Sequence, residues 1–233
     1  MTIRTQRPIR AVLCDADGTL IDSMRHGLYK LRVSAETCGF VYNEEFALAH
    51  WGVPLDKLLN LCFPGITEEQ YQSMLKIFND LDYKAPPSAI DGVPATLDLL
   101  GGLGIVFTIV TSRDSVTLGH LLRHNALDHH FLHVAAEDTV EFLKPDPRVF
   151  SCTIDKLREH GIAPEECLFI GDTYEDFDAG TGYGFRTVIV KTGPLTGPSA
   201  RIPEEDHIQS FADLPAWLAR NGLLATTVSQ EPA

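Results

Sequence analysis

The stretch "CDADGTLIDS", residues 14–23, follows the apolar run Ala11-Val12-Leu13 and puts three aspartates within eight positions. A short apolar run stopped by Gly18-Thr19 reads as a buried strand ending in a tight turn. Like charges this close are costly unless a cation or a reaction requires them. The turn also lets backbone amides face an anion.

Outward from this stretch, β-rich runs alternate with helical ones, the pattern of a parallel sheet covered on both faces. Strands are expected at Ala11–Cys14, Ile105–Val110, Leu132–Ala135, Cys167–Ile170 and Thr187–Val190. Helices are expected at Ala95–Leu103, Ser115–His124, Pro147–His160, Glu175–Tyr183 and Asp213–Arg220. Only residues 24–88 break the alternation, with amphipathic helical patterns at His26–Thr37, Glu44–His50, Leu55–Leu61 and Glu68–Leu81 and turn signals at Gly52-Val53-Pro54 and Pro64-Gly65. The expected fold is α/β, a Rossmann-like doubly wound sheet of order 3-2-1-4-5. Residues 1–23 and 89–233 form its core, and 24–88 an inserted helical domain. No internal repeat or low-complexity segment interrupts it, and the tail after Leu224 has too little apolar content to pack.

Composition limits what the motif can belong to. The chain has 233 residues, 44% of them apolar, enough to bury a substantial core. Its net charge of −13 repels phosphate backbones and anionic surfaces, so neither nucleic acid nor membrane is an expected partner. Five scattered cysteines without CxxC spacing read as reduced residues of a cytoplasmic protein. Met1 to Arg10 shows no hydrophobic segment of a secretory signal.

Other candidates fall at strand ends, where a doubly wound sheet binds its ligands. Thr111-Ser112 closes the second strand before a helix start, and hydroxyls with helix N-terminal amides suit a phosphate, although the same residues serve as ordinary caps. Lys144 precedes Pro145-Asp146-Pro147, a cap followed by a first-turn proline that fixes the lysine just upstream of a helix; most loop lysines are simply solvated. "GDTYEDFDAG", residues 171–180, puts Asp172 at the end of the fourth strand and Asp176 in a first helical turn, where dipole compensation accounts for Asp176 better than for Asp172. With strands one and four adjacent, Asp15, Asp17 and Asp172 converge, and oxygen-only ligands point to Mg²⁺.

These residues match a family. The sequence resembles the haloacid dehalogenase superfamily, phosphatase branch, with "DADGT" at 15–19, "VTS" at 110–112, "KPDP" at 144–147 and "GDTYED" at 171–176 in order. The insertion after the first motif is similar to the C1-type helical cap of phosphoglycolate phosphatase and β-phosphoglucomutase-like members. Resemblance implies that Asp15 attacks phosphorus to give an aspartyl-phosphate, and that Asp17 protonates the leaving oxygen and later takes a proton from water. It further implies Mg²⁺ held by Asp15, the Asp17 carbonyl and Asp172, with Asp176 orienting a metal-bound water. Lys144 would balance charge on Asp15, while Thr111, Ser112 and the Gly18 turn hold the phosphate. Asp17 argues against dehalogenases and phosphonate hydrolases, which replace it.

The expected substrate is a small phosphorylated metabolite, phosphoglycolate-like or a sugar phosphate, with specificity supplied by the cap around His50–Pro54. Arg113, Arg25, His26 and Lys57 are further candidates. Two other readings stand beside hydrolysis. A phosphomutase uses the same aspartate pair, but the Thr and His that such enzymes carry after the first motif appear here as Ser23 and Gly27. A receiver-like phospho-switch lacks an Asp17 equivalent. Monomer and homodimer are both open.

Overall fold

The computed structural model describes residues 7–50, 55–197 and 199–225. The chain divides into two compact units, one formed by the segments up to Leu20 and from Ala89 onward, the other by Ile21–Ser88.

The first unit is a six-stranded sheet of order β3-β2-β1-β4-β5-β6. Its strands are β1 (Ala11–Cys14), β2 (Val106–Val110), β3 (Phe131–Ala135), β4 (Cys167–Gly171), β5 (Arg186–Val190) and β6 (His207–Ile208). Every pairing is parallel. β1 and β4 are buried at every position, as strands covered on both faces must be. Below one face, Leu13, Phe150, Ile154, Leu157, Phe169 and Phe185 pack into a single cluster. In it the Phe150 ring meets Phe169 and Phe185 edge-on, with centroids 4.8 and 5.0 Å apart.

The five expected strands are present to within a residue at each end. β6 is additional. It is two residues long and begins with a histidine, which leaves no periodicity to detect. The run expected as one helix from Pro147 is a 3-10 turn, Pro147–Phe150, leading into a separate helix, Ser151–Glu159. Asp146 caps that turn by accepting from the Arg148 amide at 2.9 Å.

The second unit contains α1 (Ser23–Thr37), α2 (Glu44–Ala49), α3 (Leu55–Cys62) and α4 (Glu68–Lys84). Leu28, Leu31 and Ala35 of α1 recur at helical spacing and pack with Leu58, Leu59 and Met74 into a core of their own. α4 opens with a capping box, in which Thr67 and Gln70 each satisfy the other's backbone amide. The remaining helices belong to the first unit: α5 (Val93–Gly102), α6 (Ser115–His124), α7 (Ser151–Glu159), α8 (Tyr174–Tyr183) and α9 (Leu214–Arg220). Of the specificity loop expected at 50–54, positions 51–54 lie outside the described residues, as do the first six residues and those from 226 onward.

Candidate active site

The parallel register decides which side chains meet. Cys14 stands opposite Ile109 on β2 and Ile170 on β4, so the residues just past each strand share one edge of the sheet. The Asp15 amide continues the ladder by donating to the Ile170 carbonyl at 2.8 Å. Asp15, Thr111 and Asp172 therefore emerge side by side at the carboxyl ends of the three central strands, the ligand-binding edge of a doubly wound sheet.

Asp15, Asp172 and Asp176 are all buried, and each offers a carboxylate oxygen within 4.8 Å of the others. Lys144 sits against two of them, its Nζ 2.6 Å from Asp15 Oδ1 and 2.6 Å from Asp176 Oδ1. Its side chain is only 6% exposed, unlike a solvated loop lysine. Burial alone would lower the Lys144 pKa, but Asp15 and Asp176 outweigh it and raise the pKa above the usual lysine range. The carboxylates nevertheless outnumber their counter-ion. Burial pushes Asp15 up to about 7, Lys144 opposing and the charges of Asp176 and Asp17 adding to the rise. Asp172 is likewise pushed well above the ordinary range, by burial first and then by Asp15 and Asp176.

Asp176 does two things at once. Oδ1 receives Lys144, while Oδ2 accepts from the Asp172 amide at 3.1 Å, the Thr173 amide at 3.0 Å and the Thr173 hydroxyl at 2.6 Å. It thus completes the capping box of α8 and positions the lysine with the same carboxylate. Asp172 is the contrast. Its one side-chain hydrogen bond among the described residues comes from Thr19 Oγ1, at 3.5 Å. Around it the backbone closes in. Gly18, at φ +76°, and Gly193 both lie so near that a methyl group on either would overlap Asp172 Oδ2. The loop carrying Gly193 is tied to this turn by Thr192, whose hydroxyl donates to the Gly18 carbonyl at 2.6 Å.

Asp17 does not join the carboxylate group. Arg113 Nη2 lies 2.6 Å from its Oδ1 and Nε 2.8 Å from its Oδ2, a bidentate pair. The buried Thr111 accepts the Arg113 amide at 3.2 Å through Oγ1, whereas Ser112 is exposed. Asp114 caps α6 by accepting from the Thr117 amide at 2.9 Å. Arg25, His26 and Lys57 belong to the helical unit: Arg25 lies 3.4 Å from Asp22, His26 lies 3.4 Å from Asp82, and Lys57 is exposed. Thr192 and Gly193 are absent from the sequence-based expectation, which has Thr19 as part of the anion-facing turn but not as a partner of Asp172. Gly193 follows β5 with no motif around it, and only the fold brings it to Asp172.

Carboxylates and a buried lysine gathered at the carboxyl ends of β1 and β4 define a Rossmann-like α/β enzyme. The chain belongs to the haloacid dehalogenase-like hydrolases, whose family model matches residues 12–190. It is 30% identical over 189 residues to the pyrophosphatase PpaX of Bacillus velezensis, covering 78% of this chain and 83% of that protein. It is 27% identical over 189 residues to the phosphoglycolate phosphatase of Aquifex aeolicus, covering 79% and 86%. Its fold matches the crystal structure of a HAD-superfamily hydrolase from Geobacter sulfurreducens, with a TM-score of 0.71 at 24% identity over 90% of this chain and 96% of that one. Among the described residues no helix is long and apolar enough to cross a membrane.

Proposed function

We propose that this hydrolase is a Mg²⁺-dependent phosphatase acting on a small phosphorylated metabolite through an aspartyl-phosphate on Asp15. The observation that carries the reading is Asp172, a buried carboxylate set beside Asp15 with a single long hydrogen bond among the described residues. With Asp15, Asp172 and Asp176 ionised, three negative charges face the single positive charge of Lys144, an excess of two, while Asp17 and Arg113 form a separate pair. An oxygen-only donor set short of two positive charges suits a hard divalent cation. Asp15 and Asp172 would hold it, with the Asp17 carbonyl. Bound there, it would supply the charge neutralisation that lets an anionic nucleophile approach an anionic phosphate.

The protein's own groups account for the rest. Asp15, oriented by Lys144, attacks phosphorus, and the bond to the leaving oxygen breaks as that oxygen takes a proton from Asp17. Water then attacks the phosphorus of the acyl phosphate and gives its proton back to Asp17; phosphate leaves and the Asp15 carboxylate is restored. Thr111, its Oγ1 already accepting from the Arg113 amide, has its hydroxyl hydrogen to offer a phosphate oxygen. Lys144 neutralises charge on the nucleophile throughout. In this reading residues 24–88 serve as the cap that selects the substrate. The free cysteines Cys14, Cys38, Cys62, Cys152 and Cys167 suit the reducing cytoplasm. The names of the two relatives, a pyrophosphatase and a phosphoglycolate phosphatase, favour small phosphorylated anions as substrates.

The test is phosphate release from a panel of small phosphate esters and anhydrides with and without Mg²⁺. Chelation with EDTA is expected to abolish turnover and Mg²⁺ to restore it. At about 100 times its Kd, the ion should stabilise the fold by about 2.7 kcal/mol. For a chain of this size that raises Tm by about 5–11 °C. Release that continues undiminished in EDTA, with no Mg²⁺-dependent rise in Tm, would remove the cation from the reading.

Gly193→Ala tests the cradle around Asp172. Because the added methyl must displace the carboxylate, the Mg²⁺ concentration at half-maximal activity is expected to rise about 10-fold or more, as for other losses of support behind a metal ligand. An unchanged Mg²⁺ dependence would show that Asp172 is not a ligand.

A further inference from the structure

Two cations serve the site, and the structure divides three carboxylates between them. Lys144 is committed to Asp15 and Asp176. Arg113 is committed to Asp17, through both Nε and Nη2. This pair is partly open, with the Arg113 and Asp17 side chains 20% and 32% exposed, whereas those of Lys144 and Asp15 are nearly closed off at 6% and 7%. One pair is buried, and the other is partly open to solvent.

The inference rests on the function proposed above. If Asp17 delivers its proton to the leaving oxygen, then whatever touches Asp17 lies on the leaving-group side of the scissile bond. Arg113 touches Asp17 with the fork of its guanidinium, the geometry that matches a carboxylate or phosphate with two parallel hydrogen bonds. In the structure that fork occupies both oxygens of Asp17, so a substrate must draw it away from at least one of them before Asp17 can face a leaving oxygen. An incoming oxyanion can replace Asp17 as the partner of the guanidinium. A neutral, hydroxyl-bearing leaving group offers only weaker acceptors and leaves the exchange uncompensated.

We propose that Arg113 is a specificity-determining residue that selects phosphates whose leaving group carries its own anionic charge close to the scissile oxygen. The chemical class comprises phosphate esters of short hydroxy acids and pyrophosphate-type anhydrides. Neutral sugar phosphates are disfavoured because nothing on them takes over the guanidinium. The role is distinct from gripping the transferred phosphoryl group, since the Arg113 side chain is turned to Asp17 while Thr111 lines the strand edge beside Asp15.

A matched pair of substrates tests this. Phosphoglycolate and 2-hydroxyethyl phosphate differ by a carboxylate in place of a hydroxymethyl group on the leaving alcohol. For the full-length protein with Mg²⁺, kcat/KM is expected to favour phosphoglycolate by about 100-fold. Arg113→Gln, which keeps a hydrogen-bonding side chain beside Asp17, should collapse that preference to within about threefold, mainly by raising KM for phosphoglycolate. Arg113→Lys should restore part of it, as a point charge without the planar fork. Pyrophosphate should lose kcat/KM in parallel with phosphoglycolate. Equal losses on both esters in Arg113→Gln would make Arg113 an anchor for Asp17 and overturn the inference. A wild type with no preference would overturn it too, in both cases leaving the phosphatase reading intact. No phosphate release from either ester or from pyrophosphate would remove the phosphatase reading, and this inference with it.

Discussion

Asp15→Asn is expected to lower kcat by at least about four orders of magnitude while leaving the fold intact. The amide has nearly the same shape but is no nucleophile toward phosphorus, so no covalent intermediate can form. The substitution should not unfold the protein, because the ionised carboxylate is itself a burden. Burial holds the Asp15 pKa at about 7 in the folded chain, against 3.8 for the group in water. A carboxyl whose folded value is the higher binds its proton more tightly in the native state, so its ionisation costs stability progressively as pH rises from about 3.8 to about 7. In chelated protein at neutral pH, the Asn variant should therefore match or exceed the wild type in Tm. The checks are steady-state phosphate release, circular dichroism and a thermal melt. Appreciable turnover by purified Asp15→Asn protein would reject the nucleophile.

Lys144→Met should do the reverse and damage the fold as well as the chemistry. The ammonium is the shared partner of Asp15 and Asp176, all three side chains being less than a tenth exposed. Removing one member of a buried ionic group leaves the others uncompensated, at a cost of about 3–5 kcal/mol. For a chain of this length that lowers Tm by about 6–20 °C. Activity should fall with it, because Asp15, the proposed nucleophile, loses its orienting partner. The double variant Lys144→Met/Asp176→Asn removes one of the two stranded charges and should recover part of the lost stability, a coupling that a cycle of melts measures directly. A loss below about 1 kcal/mol in the single variant would show that the lysine is dispensable to the fold.

What the sequence made legible follows from which signals are local. β1 and β4 are short apolar runs ending in aspartate, and their place in the sheet follows from the alternation of strand and helix. Lys144 was visible through the prolines that frame it, yet its burial was not, because burial depends on β1 and α8 arriving from 129 and 32 residues away. Arg113 is the clearest shortfall. Its neighbours Thr111 and Ser112 suggested phosphate binding, but its partner is Asp17, 96 residues distant. Gly193 and Thr192 carry no residue-type signal at all. Gly193 matters sterically, through a backbone that passes within a methyl's radius of Asp172, and Thr192 through the hydroxyl that ties its loop to the Gly18 carbonyl. β6 escaped for the opposite reason, being too short for any pattern to accumulate.

The double use of Asp176 has a consequence for how this enzyme can change. One oxygen of that carboxylate starts α8 and the other seats Lys144, so the opening turn of a helix and the layout of the reaction centre are a single piece of architecture. Thermal fraying of that turn would disassemble the centre, and whatever tightens the turn would sharpen it. Engineers seeking a hardier variant are therefore best served by the solvent face of α8 beyond its first turn, where substitutions can add helix propensity without disturbing the clamp.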